Sequence, residues 1–389
     1  MSGTGGGTIA PVPPGAAIGM LGGGQLGRMS ILAGRRLGYR FRVFEPRAGS
    51  AAGMVADAEF NAAYDDCEAL ARFASGCAVV TLEFENVPAA AVEAVEAAGA
   101  PVRPGGEVLA ICQNRRREKE FLRGGGFPCA DFALAGSPEE AAAAARALGG
   151  ACVLKSAAFG YDGKGQARLG SVEDAPAAWE TVGARECVVE KWIPFERECS
   201  VICARNGRGQ SRCFPMAENL HRHHILDTAI VPARVDEAVR VAGEELARAI
   251  AEALDVVGLI AVELFLMADG TLLVNELAPR PHNSGHASFD ACVTSQFEQH
   301  VRAVCGLPLG DTALLRPAVM VNLLGGLWSE AEPEWPVLLA DPGVKLHLYD
   351  KGAARPGRKM GHFTVMDTTV EAALARANGL RAKLTRQGD

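Results

Sequence analysis

Residues 261–286 read AVELFLMADGTLLVNELAPRPHNSGH. Two apolar runs flank Asp269-Gly270, a dipeptide that favours a two-residue hairpin turn because both positions tolerate positive φ. If Ala268 and Thr271 close that turn, Glu263 falls directly opposite Glu276 on one sheet face. Carboxylates placed so repel each other unless a cation sits between them. An all-oxygen donor set suits Mg²⁺, which keeps some waters and is completed by substrate phosphates. Arg280, His282, Asn283 and His286 follow at once, in a polar cluster broken by prolines. The segment reads either as a magnesium–nucleotide site beside an anion site, or as an exposed hairpin in another register with both glutamates solvated.

Outward from the hairpin, strand and helix patterns alternate. Residues 16–21 read as a strand, followed by a glycine turn, a helix over 25–37 and a second strand over 41–45. A buried strand over 78–84 and a helix over 88–98 complete a pattern that argues for a parallel α/β sheet. A boundary falls at 101–106. A charged helix over 114–123 and an alanine-rich helix capped by Ser137 open the next region. Strands over 152–155, 187–191 and 198–205 follow, then a long helix over 235–254 that leads into the hairpin. Beyond Leu309, strand-like segments at 319–323 and 345–349 and a last helix at 370–384 mark a smaller C-terminal region.

A chain of 389 residues suggests two or three domains, and 49% hydrophobic with 22% charged residues is an ordinary globular balance. The net charge of −7 argues against a nucleic-acid partner, so basic residues must be gathered locally wherever anions are held. The 11 cysteines show no C-x-x-C pair and read as reduced thiols of a cytosolic protein. Residues 1–15 read as a disordered tail without the features of a signal peptide. No run approaches the ~18 apolar residues of a membrane span.

Further motifs bear on chemistry. Gly22-Gly23-Gly24-Gln25-Leu26-Gly27 after a strand, with Glu45 ending the next, satisfies the dinucleotide fingerprint. It reads as a nicotinamide or flavin site, as a site for another phosphorylated ligand, or as a structural turn. Gly160-Tyr161-Asp162-Gly163-Lys164-Gly165-Gln166 sets a lysine among glycines, where backbone amides and an ammonium can cover polyphosphate; a surface hairpin is the alternative. Lys155 ends the strand before it. Glu190-Lys191-Trp192-Ile193 has the make-up of an adenine slot, and Glu198 that of a ribose ligand. His221, His223 and His224 lack a fourth ligand at zinc spacing and read as a polar loop. Glu83 lies where α/β sheets bind ligands, and 351–359 is a basic turn that is ordinarily a solvated charge run.

Together these segments resemble the ATP-grasp superfamily and, within it, the 5-(carboxyamino)imidazole ribonucleotide synthase family of purine biosynthesis. The resemblance is carried by GGGQLGRM at 22–29, TLEFENVP at 81–88, GYDGKGQ at 160–166, EKWI at 190–193, NELAPRPHNSGH at 275–286 and HLYDKGAARPGRKMGH at 347–362. It spans nearly the whole chain beyond the tail. It implies an α/β and α+β architecture: a Rossmann-like domain at 16–106, an ATP-grasp domain at 107–310 with a flexible phosphate loop at 156–168, and a C-terminal domain at 311–389. It also implies an ATP-dependent ligase that carboxylates aminoimidazole ribonucleotide with bicarbonate through carboxyphosphate, and a homodimer.

By the same resemblance Glu263 and Glu276 would hold Mg²⁺. Arg115, Lys155 and the 160–166 loop would clamp the phosphates of ATP. Glu190 to Ile193, Glu198 and His221 would bind adenine and ribose, with Asn275 near the metal. Tyr161, Asp162, Lys164, Arg280, His282 and Asn283 would surround bicarbonate and its phosphorylated product. Gln25, Leu26, Glu83, Lys351, Arg358 and Lys359 would hold the ribonucleotide. The family usually has glycine where His224 stands, and Phe159 replaces a common glycine before the loop. Three rival readings are a formate-dependent glycinamide ribonucleotide transformylase of the same superfamily, an NAD-dependent oxidoreductase, and a non-catalytic nucleotide-binding protein, which the intact set of charged residues disfavours. The first typically has aspartate where Asn283 stands; the second rests on residues 22–45 alone.

Overall fold

Ala17–Leu21 has four consecutive buried residues, as expected of a strand covered on both faces of a parallel sheet. The computed structural model describes residues 10–158, 165–183 and 185–385. Gly160, Tyr161, Asp162, Gly163 and Lys164 lie outside the described residues. In the first sheet the strands run parallel in the order Ala58–Phe60, Arg40–Phe44, Ala17–Leu21, Val79–Leu82. Their C-terminal ends gather the glycine turn and Glu83. The chain is already anchored at Val12, within the fifteen residues expected to form a tail: its amide donates to Cys305 O at 2.8 Å, and its carbonyl accepts from Tyr39 Oη at 2.6 Å.

A second, antiparallel sheet orders Phe132–Ala135, Cys187–Lys191, Cys152–Ser156 and Gln166–Leu169. Helices Pro138–Ala147 and Ala175–Val182 pack against it, the first capped by Ser137 Oγ accepting from Glu140 N. The register pairs Val153 with Glu190 and Lys155 with Gln166.

The third sheet is the largest, with nine strands. Leu272–Ala278, Gly258–Leu266, Arg197–Arg205, Ala217–Arg222 and Ile225–Val231 are followed by Ala318–Leu324, Lys359–Met366 and Val344–Leu348, with Ser211–Cys213 paired to the third strand. The strands of the C-terminal region therefore extend the hairpin's own sheet, through Thr228–Val231 against Ala318–Val321.

The hairpin turn differs from expectation. Met267, not Ala268, pairs with Thr271, through Met267 N to Thr271 O at 2.9 Å. The loop is thus three residues, with Gly270 at φ 87, and the tip of the ladder is displaced by one residue. A bulge at Asn275 inserts one extra residue and cancels the displacement, so Glu263 still pairs with Glu276. The loop expected around His221 is also different. Ala217–Arg222 and Ile225–Val231 form a hairpin that places His221 in a strand and turns at His223 and His224, with φ 50 and 62.

Candidate active site

Glu263 and Glu276 share one face of the sheet. His282 Nε2 lies 3.0 Å from Glu263 Oε1, and Arg115 Nη2 lies 3.4 Å from Glu276 Oε2. Burial disfavours the Glu263 anion, yet the hydrogen bond and charge of His282, with His221 and Arg280 behind it, hold the carboxyl below its usual range. Glu276 goes the other way: burial raises it, Arg115 only partly compensates, and Glu263 and Glu85 add repulsion. A divalent cation between the two carboxylates would relieve that repulsion, so this all-oxygen pair fits Mg²⁺.

Beneath the pair lies a buried charge cluster. Lys155 Nζ is 3.0 Å and Lys119 Nζ 3.6 Å from Glu190 Oε2. Burial opposes ionisation of Glu190, but Lys119 and Lys155 outweigh it and bring the carboxyl down to about 2. Lys155 is pushed below its ordinary value by burial, with Lys119 and Arg115 repelling it and Glu190 opposing the shift. Asn275, the bulge residue, accepts from Lys119 Nζ at its carbonyl (2.9 Å) and lies 3.5 Å from Lys155 Nζ at Oδ1. Glu190 Oε1 is buried without a hydrogen-bond partner.

Trp192, beyond Glu190 and Lys191, is exposed on one side and stacked by Arg168 on the other, 4.1 Å from the ring centroid. Ile193 is half-buried beside it, and Lys191 is exposed. Glu198 Oε2 lies 2.6 Å from His221 Nδ1. Burial lowers the proton affinity of His221, but Glu198 and then Glu263 outweigh it, with the charge of Lys359 opposing.

On the far side, Arg280 pairs with Glu85 and donates to Pro281 O at 3.1 Å. Asn283 is buried, and neither its Oδ1 nor its Nδ2 has a partner. His286 is core instead: fully buried, it packs 4.8 Å from the His362 ring and 5.6 Å from Phe297.

The glycine turn holds carboxylates of its own chain. Gly23 N donates to Glu45 Oε2 at 3.0 Å, and Gly24 N to Glu83 Oε1 at 2.8 Å. A Cβ on Gly24 would sit 2.4 Å from Glu83 Oε1, which explains the glycine. The amides that a dinucleotide phosphate would need are taken, and the acid expected at the ribose is one of the takers, so the NAD reading fails. Glu83 closes the turn, while Gln25 and buried Leu26 begin the helix beside it. Lys351 Nζ stands 5.8 Å from the Tyr349 ring centroid; Arg358 donates to Ala353 O at 2.9 Å, and Lys359 begins its strand.

The fold thus gathers Arg115, Lys155, Glu190, Glu263, Asn275, Glu276, Arg280 and His282 around one region. Sequence reasoning missed Lys119, Glu85 and Glu118, whose Oε2 accepts from Leu277 N at 2.9 Å beside Glu276. Lys119 and Glu118 sit in a run of charges, R-R-R-E-K-E, that reads as solvated, and the apolar Phe121-Leu122 after it was the available hint of a buried face.

Models of three families match in succession: the ribonucleotide synthetase preATP-grasp domain at 16–113, the ATP-grasp domain at 120–297 and the phosphoribosylaminoimidazole carboxylase C-terminal domain at 318–376. The chain is 44% identical to N5-carboxyaminoimidazole ribonucleotide synthase of Bacillus subtilis over 91% of its length and 92% of that protein. It is 46% identical to the Brucella melitensis enzyme of that name, over 90% and 96%. The crystal structure of the Aspergillus clavatus synthase with ADP and 5-aminoimidazole ribonucleotide superposes with a TM-score of 0.87 at 33% identity, covering 95% of this chain and 99% of that one.

Proposed function

The chain belongs to the N5-carboxyaminoimidazole ribonucleotide synthase family of ATP-grasp ligases, and we propose that it joins bicarbonate to the exocyclic amine of 5-aminoimidazole ribonucleotide at the expense of ATP. The supporting observation is the contact of His282 with Glu263, which sets the acceptor segment against the carboxylate pair.

Mg²⁺ held by Glu263 and Glu276 would neutralise charge on the transferring phosphoryl group. Arg115 and Lys155 clamp phosphate oxygens. Glu190 Oε1 is an acceptor that the adenine amine would satisfy, Lys191 to Ile193 border the base, and Glu198 with His221 takes the ribose. Bicarbonate, oriented by His282 and the unpaired amide of Asn283, attacks the γ-phosphorus to give carboxyphosphate and ADP. Lys351, Arg358 and Lys359 hold the anionic ribonucleotide beside Gln25 and Leu26. Arg280, oriented by Glu85, faces the same reactants, and Tyr161, Asp162 and Lys164 are the further residues assigned to bicarbonate and its phosphorylated product. Eleven free cysteines accord with a reducing, cytoplasmic setting, and a homodimer is the proposed assembly.

The assay is ADP release from Mg·ATP and bicarbonate with and without the ribonucleotide. Ribonucleotide-dependent release is expected, with ¹⁸O from labelled bicarbonate appearing in phosphate. Release with formate and glycinamide ribonucleotide instead would overturn the reading.

A further inference from the structure

Glu276, Glu263, Ser200 and Ala217 are direct neighbours across successive strands and form one row on the carboxylate face. Beyond Ser200 this row opens into a cavity of about 20 Å³. Its apolar lining includes Ile202, Phe214, Ala217, Val231, Ala287 and Leu314, and Ser284, Gly285 and Ser288 border it. One strand spacing, ~4.8 Å, separates Ser200 from Glu263. His282 is the partition: Nε2 contacts Glu263, while Nδ1 lies 2.8 Å from Ser284 Oγ on the cavity side.

The hydroxyls that border the cavity already have partners. Ser200 Oγ donates to Ser284 Oγ at 2.7 Å, and Ser288 Oγ donates to Gly285 O at 2.6 Å and accepts from Gln296 N at 2.9 Å. An enclosed water needs two to four polar partners, so this space favours an apolar guest. Its volume exceeds the ~10–15 Å³ that a single water requires.

We propose that the cavity shelters carbon dioxide set free from carboxyphosphate, a proposal that rests on the function given above. In that step the bond between the carboxyl carbon and the bridging oxygen breaks. Its electron pair stays on phosphate, which also takes the carboxyl proton. The amine nitrogen of the ribonucleotide then attacks the carbon, and its surplus proton passes to phosphate. Carbon dioxide has no net dipole and donates no hydrogen bond, so apolar walls one strand from the phosphoryl centre retain it where water would hydrate it.

The test fills the space. Ala217→Val and Ala217→Ile should lower the carboxylated product formed per ADP at least threefold, with ribonucleotide-dependent ADP release within twofold of wild type. Xenon under pressure should bind wild-type crystals between Phe214, Ala217 and Leu314, and should lower the same ratio in solution, a result independent of whether the variants fold. An unchanged ratio in a folded variant whose crystals no longer take xenon, or a wild-type cavity that takes none, overturns the cavity assignment. Wild-type protein without ribonucleotide-dependent ADP release would instead refute the function and the carbon dioxide with it.

Discussion

Glu85 and Arg280, 195 residues apart, meet as a largely buried ion pair. Glu85 follows the last strand of the parallel sheet and Arg280 leaves the hairpin, so the pair ties the first domain to the carboxylate site. Burial raises Glu85, but the charge and hydrogen bond of Arg280 outweigh it and keep the carboxyl low. Removing one member of such a pair strands the other charge. Glu85→Gln is expected to cost about 3 kcal/mol, read from urea unfolding, and to lower turnover as Arg280 loses its orientation. Unchanged stability would show that the pair is dispensable.

The two glutamates of the hairpin should respond differently to neutralisation. Glu263→Gln and Glu276→Gln are each expected to lower Mg²⁺-dependent ADP release roughly a hundredfold, about 3 kcal/mol of transition-state stabilisation. Their melting temperatures should diverge. Glu263→Gln deprives His282 of its charged partner and should melt lower, whereas Glu276→Gln relieves repulsion and should melt no lower than wild type. Equal melting shifts would contradict the assigned electrostatics.

His221 gives the site a pH dependence whose sign is fixed. Its folded pKa lies above the ordinary histidine value, since Glu198 outweighs burial. The pairing therefore contributes fully below ~6.5, the unfolded value, and is lost as pH rises through the folded one. Urea unfolding at about pH 6 and about pH 9 should show wild type losing stability relative to His221→Gln across that window. A gap that does not change with pH would exclude the linkage.

His224 turns its hairpin at φ 62, in the left-handed region where a side chain is strained and glycine is not. His224→Gly is expected to stabilise the protein by roughly 0.5–1 kcal/mol, read by thermal denaturation. Turnover should be unaffected, because the residue is exposed at the tip of the turn. This is a physical reason for the glycine that the family usually has there.

The sequence was most legible where period and turn chemistry coincide. The strand–glycine–helix opening, Ser137 as a cap and the Glu263–Glu276 pairing all come from local rules. That pairing came out right although the turn is one residue longer, because the Asn275 bulge restores register, and no local pattern announced the bulge. Buried Lys119 was invisible because its burial depends on Glu190 and the carbonyl of Asn275, both distant in sequence. The carboxylate capping by Glu45 and Glu83 was hidden for the same reason: a fingerprint reports glycines and leaves open what fills them.

The pairing of Thr228–Val231 with Ala318–Val321 has a bearing on how such a protein can be altered. A chain ended before Ala318 would uncover the apolar strand ILDTAIV as a naked edge, a template for sticking to other chains. The C-terminal region is therefore no detachable cassette. Variation there would have to proceed through loops such as 350–358, leaving the strands that carry them stitched to the hairpin that bears Glu263 and Glu276.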